Sequence, residues 1–130
     1  MIVVDTSALM AILNAEPRSA ECLEALGRET EIIISAGTYA EAKIVAARRG
    51  LVEEMGSILA RCVSEIVSLT PNRALRAADA YGRWGKGFDP AGLNFGDCFA
   101  YALARERDCP LLYVGADFAR TDIQSAIGRP

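Results

Sequence analysis

Short all-apolar runs alternate along this chain with longer stretches whose apolar positions recur three and four residues apart. Runs of the first kind read as strands buried on both faces, and stretches of the second as helices with one face on a core. Strands are predicted at residues 2–4, 32–34, 66–69 and 111–114, with a further edge strand at 122–124. Helices are predicted at 7–14, from Pro17 to 27, from a Ser35 cap to 49, at 51–65, at 71–84 and from an Asn94 cap to 107. A short helical turn is predicted in the tail that starts at Asp117. The punctuation supports these limits: Thr70-Pro71 pairs a capping hydroxyl with proline at the first helical position, and Gly50 follows Arg49. Strand and helix alternate, so the fold class is α/β, a parallel central sheet of four to five strands flanked by helices.

Composition narrows the chemistry more than the fold. A length of 130 residues suits one domain spanning 1–130. No apolar run approaches a membrane span, and Asp5 interrupts the N-terminal run too early for a signal peptide, so a cytoplasmic, non-membrane protein is expected. There is no histidine, which excludes His-based acid/base catalysis, a Ser-His-Asp triad and the usual zinc ligand sets. Cys22, Cys62, Cys98 and Cys109 form no CxxC pair and read as buried free thiols. The net charge of −3 gives no broad attraction to nucleic acid, though a local basic face is compatible with it.

Some acids have a helical partner, as Glu21 has Arg18 and Glu24 has Arg28. Three others lie in apolar contexts without one. Asp5 ends an apolar strand, and Glu41 has Gly37, Thr38, Ile44 and Val45 at helical spacing. Asp97 has Leu93, Asn94, Ala100 and Tyr101. Each has a local explanation: Asp5 could cap the next helix, Asp97 could stabilise a helix N-terminus, and Glu41 could meet a distant arginine. Together they can all reach one end of one sheet, where open α/β sheets bind ligands. Crowded carboxylates repel unless protonated or neutralised by a cation. An all-oxygen set suits a hard ion, Mg²⁺ or Mn²⁺, and such ions handle phosphates. The chemistry indicated is phosphodiester hydrolysis or phosphotransfer.

These residues resemble the PIN-domain family, in particular the VapC-like toxins of type II toxin–antitoxin modules. The resemblance rests on Val4-Asp5-Thr6-Ser7-Ala8, on Ser35-Ala36-Gly37-Thr38-Tyr39-Ala40-Glu41, and on Pro90-Ala91-Gly92-Leu93-Asn94-Phe95-Gly96-Asp97-Cys98-Phe99-Ala100. It closes on Pro110-Leu111-Leu112 and Asp117-Phe118-Ala119-Arg120-Thr121-Asp122-Ile123. It implies a PIN domain and a metal-dependent endoribonuclease. Asp5, Glu41 and Asp97 would be core acids holding Mg²⁺, with Mn²⁺ as a substitute, and Thr6 or Ser7 would support Asp5. It also implies an RNA substrate, a cognate VapB-like antitoxin that occludes the site, and a homodimer.

The chain departs from the family pattern at two places. Ala116 stands where relatives often carry an acid or asparagine, leaving Asp117 as the nearest fourth acid and Asp122 as the next. Val114 stands where many have lysine. The first departure motivates an alternative, a degenerate PIN-like module that binds antitoxin or RNA without cutting. A phosphotransfer domain with Asp5 as nucleophile fits less well, because Thr6-Ser7 follows in place of a spaced second aspartate. Arg83, Lys86 and Arg120 are candidate phosphate contacts, and Trp84 and Phe88 candidate stacking groups.

Overall fold

The computed structural model describes residues 1–128. Its sheet has four strands, β1 (Ile2–Val4), β2 (Ile32–Ser35), β3 (Glu65–Val67) and β4 (Leu111–Leu112), in the order β3-β2-β1-β4. All pairings are parallel. The helices are α1 (Thr6–Leu13), α2 (Ser19–Arg28), α3 (Ala36–Arg49), α4 (Val52–Cys62), α5 (Pro71–Trp84) and α6 (Phe95–Arg107), followed by a 3₁₀ turn at Phe118–Arg120.

The strands alternate faces, and the core divides accordingly. Val3, Ile33, Val67 and Leu111 pack with α5 and α6, whereas Ile2, Val4, Ile32, Ile34 and Leu112 pack with α1 to α4. A strand buried on both faces needs apolar residues at every position, which is why the runs are unbroken. Chain order reverses between β1 and β4, since β2 and β3 lie on one side of β1 and β4 on the other. That reversal makes a crevice at the carboxyl ends of β1 and β4. Asp5 stands at its rim.

Several limits shift. The second helix starts at Ser19, two residues past Pro17, because Ser19 N–H bonds Glu16 O in a preceding turn. The fourth helix stops at Cys62 because Ser64 is drawn to the sheet: its N–H bonds Ile32 O, and its hydroxyl accepts from Ile32 N–H. Strand three therefore begins at Glu65 and ends at Val67. Strand four stops at Leu112, and the Val114 N–H turns to Ser7 Oγ. The expected edge strand at 122–124 is a single parallel bridge between Leu111 and Ser125. The last residues of the predicted tail, 129 and 130, lie outside the described residues.

All four cysteines are free; Cys22 and Cys98 are buried, and Cys62 and Cys109 half-buried. Burial pushes the Cys98 thiol up to about 12, which keeps it inert. Among the described residues no helix is long and apolar enough to cross a membrane.

Candidate functional site

Asp5 and Ser7 join the ends of β1 and β4. Asp5 is the N-cap of α1, and its Oδ2 accepts from the Ser7 N–H at 3.0 Å and the Ser7 hydroxyl at 2.7 Å. The same hydroxyl accepts from Val114 N–H at 3.1 Å. The local explanation of Asp5 as a helix cap is therefore correct, but it uses only one oxygen. Asp5 is 2% exposed, and its Oδ1 is buried with no hydrogen-bond partner. Thr38 Oγ1 and Tyr113 OH share that condition, but those groups are neutral hydroxyls. An unpartnered carboxylate oxygen is far more costly to bury.

Among the described residues Glu41 finds no arginine. Its Oε1 accepts from the Thr6 hydroxyl at 2.6 Å, so α1 holds both a cap for its own first turn and a donor for α3. Asp97 is the third residue of α6 and forms a capping box: its Oδ2 accepts from Asn94 N–H, and Asn94 Oδ1 accepts from Asp97 N–H. Again the local role and the convergent one coexist in one side chain.

The electrostatics show the convergence. Burial pushes Asp5 up to about 7 against the opposing Ser7 hydrogen bonds, with the charges of Asp97 and Glu41 adding to the rise. Burial pushes Asp97 up to about 6 against the Asn94 N–H, with Glu41 and Asp117 adding to it. Among the described residues no cationic side chain offsets the rise at either group. As the side chains stand, no three acidic or thiol groups among the described residues form a ready-made ion cage. Each carboxylate is turned to a donor of its own.

The two candidates for the fourth acid separate clearly. Asp117 is exposed, opens the 3₁₀ turn, and lies close enough to raise Asp97. Asp122 is occupied elsewhere: its Oδ1 accepts from Tyr101 OH at 2.5 Å, and its Oδ2 lies 3.7 Å from Arg83. Arg83 also stacks over Trp84 at 4.6 Å, and Arg120 donates to Pro90 O at 3.3 Å. Lys86 is exposed. The Trp84 ring is a packing group, since its Nε1 donates to Tyr101 OH at 2.9 Å. Phe88 is 69% exposed. The sequence reading missed Phe95, which is 74% exposed two residues before Asp97 and meets the Phe99 ring in a T-shaped contact. A signal was available: a large aromatic at the first helical position, directly after the cap, lies ahead of the helix face that reaches the core.

A cation fits this donor set. The donors are carboxylates and hydroxyls, one buried oxygen lacks a partner, and no arginine or lysine among the described residues competes. Hard divalent ions prefer such oxygens.

The PIN domain family model matches residues 2–124. Ribonuclease VapC28 of Mycobacterium tuberculosis is 38% identical, over 98% of this chain and 99% of its own. Ribonuclease VapC30 of the same species is 42% identical, over 94% and 95%. A Ribonuclease VapC of Mycolicibacterium smegmatis is 42% identical, over 94% and 97%. In structure, M. tuberculosis VapC20, described as a Sarcin-Ricin loop cleaving toxin, superposes with a TM-score of 0.78 at 19% identity over the full length of both chains. VapBC2 from Rickettsia felis, solved with a DNA fragment from its promoter, gives 0.68 at 21% identity over 96% of each. With its acids gathered at the β1–β4 crevice and relatives matching end to end, the chain belongs to the PIN-domain family, among its VapC-type members.

Proposed function

We propose that this protein is a metal-dependent endoribonuclease, the toxin of a type II toxin–antitoxin pair acting in the cytoplasm. One observation carries the proposal. Asp97 and Glu41 add to the rise at the buried Asp5, Glu41 and Asp117 add to the rise at Asp97, and among the described residues no cationic side chain offsets them where the sheet reverses. Relatives that match nearly end to end are named ribonucleases, which favours RNA as the substrate class. Structures of VapC-type fold include toxin–antitoxin complexes, which favours a cognate VapB-like antitoxin as partner. A homodimer is part of the same proposal.

Asp5, Glu41, Asp97 and Asp117 would hold Mg²⁺, or Mn²⁺ in its place. Such an ion supplies charge neutralisation of a phosphodiester and a water acidic enough to attack it. The chain's own residues do the rest. Ser7 fixes Asp5 by a pair of hydrogen bonds to Oδ2 and leaves Oδ1 buried without a partner. Thr6 orients Glu41. Asn94 holds Asp97 through the capping box, so the carboxylate rides on a rigid helix start and not on a loop. Lys86 and Phe95 are exposed and would meet RNA phosphate and base respectively.

Mapping RNA ends after induced expression tests the proposal. Wild-type protein should arrest growth and create new 5′ ends at a defined site. Asp5→Ala should do neither while remaining folded. Continued cleavage by a well-folded Asp5→Ala protein would remove the proposal.

A further inference from the structure

Helices α3 and α6 approach closely through reciprocal gaps. A Cβ placed at Gly37 of α3 would lie 2.6 Å from Cγ of Phe99 on α6. A Cβ placed at Gly96 of α6 would collide with Oε2 of Glu41 on α3 and lie 2.6 Å from its Cδ. The two gaps are four residues apart on α3 and three on α6, the spacing of one helix face meeting another. One gap takes an aromatic ring and is ordinary core packing. The other takes a carboxylate.

Gly96 has no backbone reason to be glycine. It lies inside the first turn of α6, and positive φ is found at Gly50, Gly87, Gly92, Gly115 and Gly128 but not there. Within a helix, glycine is a worse former than alanine. Local propensity therefore argues against the residue that is present, and the three atoms nearest to a Cβ there all belong to the Glu41 carboxylate. Glu41 is held from the opposite side by the Thr6 hydroxyl at 2.6 Å. Its carboxylate is thus clasped between α1 and the start of α6, next to Asp97.

We infer that Gly96 is a positioning residue: its bare backbone seats the Glu41 carboxylate against α6 beside Asp97, and any side chain there turns Glu41 out of the site. The inference rests on the proposed metal site for its consequence but not for its geometry. Glu41 is a flexible side chain, so Gly96→Ala displaces the carboxylate without breaking the fold. A purely structural glycine would behave otherwise.

Two measurements test it. In chelator, without metal, wild type, G96A, E41A and G96A/E41A are unfolded in denaturant. Alanine should raise the midpoint more in the E41A background than in the wild-type background, because only in the latter does it evict a carboxylate. Equal shifts in both backgrounds would overturn the inference. G82A is the control, since a Cβ there meets nothing within 4 Å. It should raise the midpoint equally with or without Glu41. Calorimetry with Mn²⁺ gives the second readout. G96A should bind about tenfold or more weakly, the usual effect of disturbing an ion's supporting shell, and G96A/E41A no more weakly than E41A. Wild-type affinity in G96A would overturn the positioning role. Failure of wild type to bind Mn²⁺ would remove the metal site instead, and the chelated cycle would still decide whether Gly96 seats Glu41.

Discussion

The two ends of α6 carry carboxylates with opposite fates. Glu106, near the C-terminus, is held below its usual range by hydrogen bonds from Arg73, whose Nη2 lies 3.1 Å away. Asp97, in the first turn, is pushed up to about 6 by burial, with Glu41 and Asp117 adding to it. The helix dipole would order them the other way, since it favours negative charge at the N-terminus by about 0.3–1 kcal/mol. A rise from 3.8 to about 6 is worth about 3 kcal/mol before solvent screening, so burial and repulsion win. At one end the chain supplies an arginine; at the other the described residues offer no cation and add more acids. The structural carboxylate Glu106 is answered from within the protein, whereas Asp97 is not, which is what the proposed metal site requires.

The largest expected effect comes from removing the unanswered charge. Asp97→Asn should lower RNA cleavage by more than about a hundredfold, because even groups one shell away from an ion matter by 10–100-fold. Its stability in chelator should hold or rise at neutral pH, since the amide keeps the Asn94 hydrogen bond and removes repulsion. A fall in both activity and stability would make Asp97 a structural residue like Glu106.

The pH dependence is next. Asp5 has a folded value of about 7 against an ordinary 3.8, so between those values the folded state binds more protons than the unfolded one. Stability of the metal-free protein should therefore be greatest near pH 4 and fall as pH rises to about 7. The acids titrate as a coupled set, and the measurable quantity is the combined slope. Mg²⁺ should flatten it at neutral pH, as should Asp5→Asn. A metal-free slope of opposite sign, read from denaturation midpoints across that window, would contradict the raised carboxyls.

Thr6→Val sharpens the comparison further. It removes the Thr6 hydrogen bond to Glu41 and leaves Asp5 capped, so cleavage should fall several-fold to about tenfold with the fold intact. Steady-state cleavage beside a melting curve would check this. Arg73→Met should have the smallest effect, a slight drop in denaturation midpoint with unchanged cleavage, because the Arg73–Glu106 pair is partly exposed and lies at the far end of α6.

Much of this was legible in the sequence. Ile2-Val3-Val4 and Ile32-Ile33-Ile34 announce buried parallel strands, and Asn94 and Ser35 announce the helix starts that position Asp97 and Glu41. Asp5, Glu41 and Asp97 stood out because none has a cation at helical spacing, a local test that correctly set aside Glu21 and Glu24. What escaped depends on side chains meeting across long separations. Nothing near Thr6 signals that it donates to Glu41, thirty-five residues away. Asp117 and Asp122 are indistinguishable by composition, and only Tyr101 and Arg83 show that Asp122 is already engaged. Gly96 reads as a poor helix residue until Glu41 is placed against it. The ends of β3 and β4 moved for the same reason, since Ser64 and Val114 follow bonds to distant partners, not local propensity.

The central claim is that a divalent cation answers the carboxylates of the crevice. Calorimetric titration of Mn²⁺ into chelator-stripped protein at pH 6.5, in buffers of differing ionisation enthalpy, tests it most directly. Saturable binding should be accompanied by proton release, because Asp5, and Asp97 only in part, hold protons at that pH and must give them up to a cation. Both the binding and the released protons should disappear in Asp5→Asn. No saturable binding, or binding that Asp5→Asn leaves unchanged, would contradict the claim.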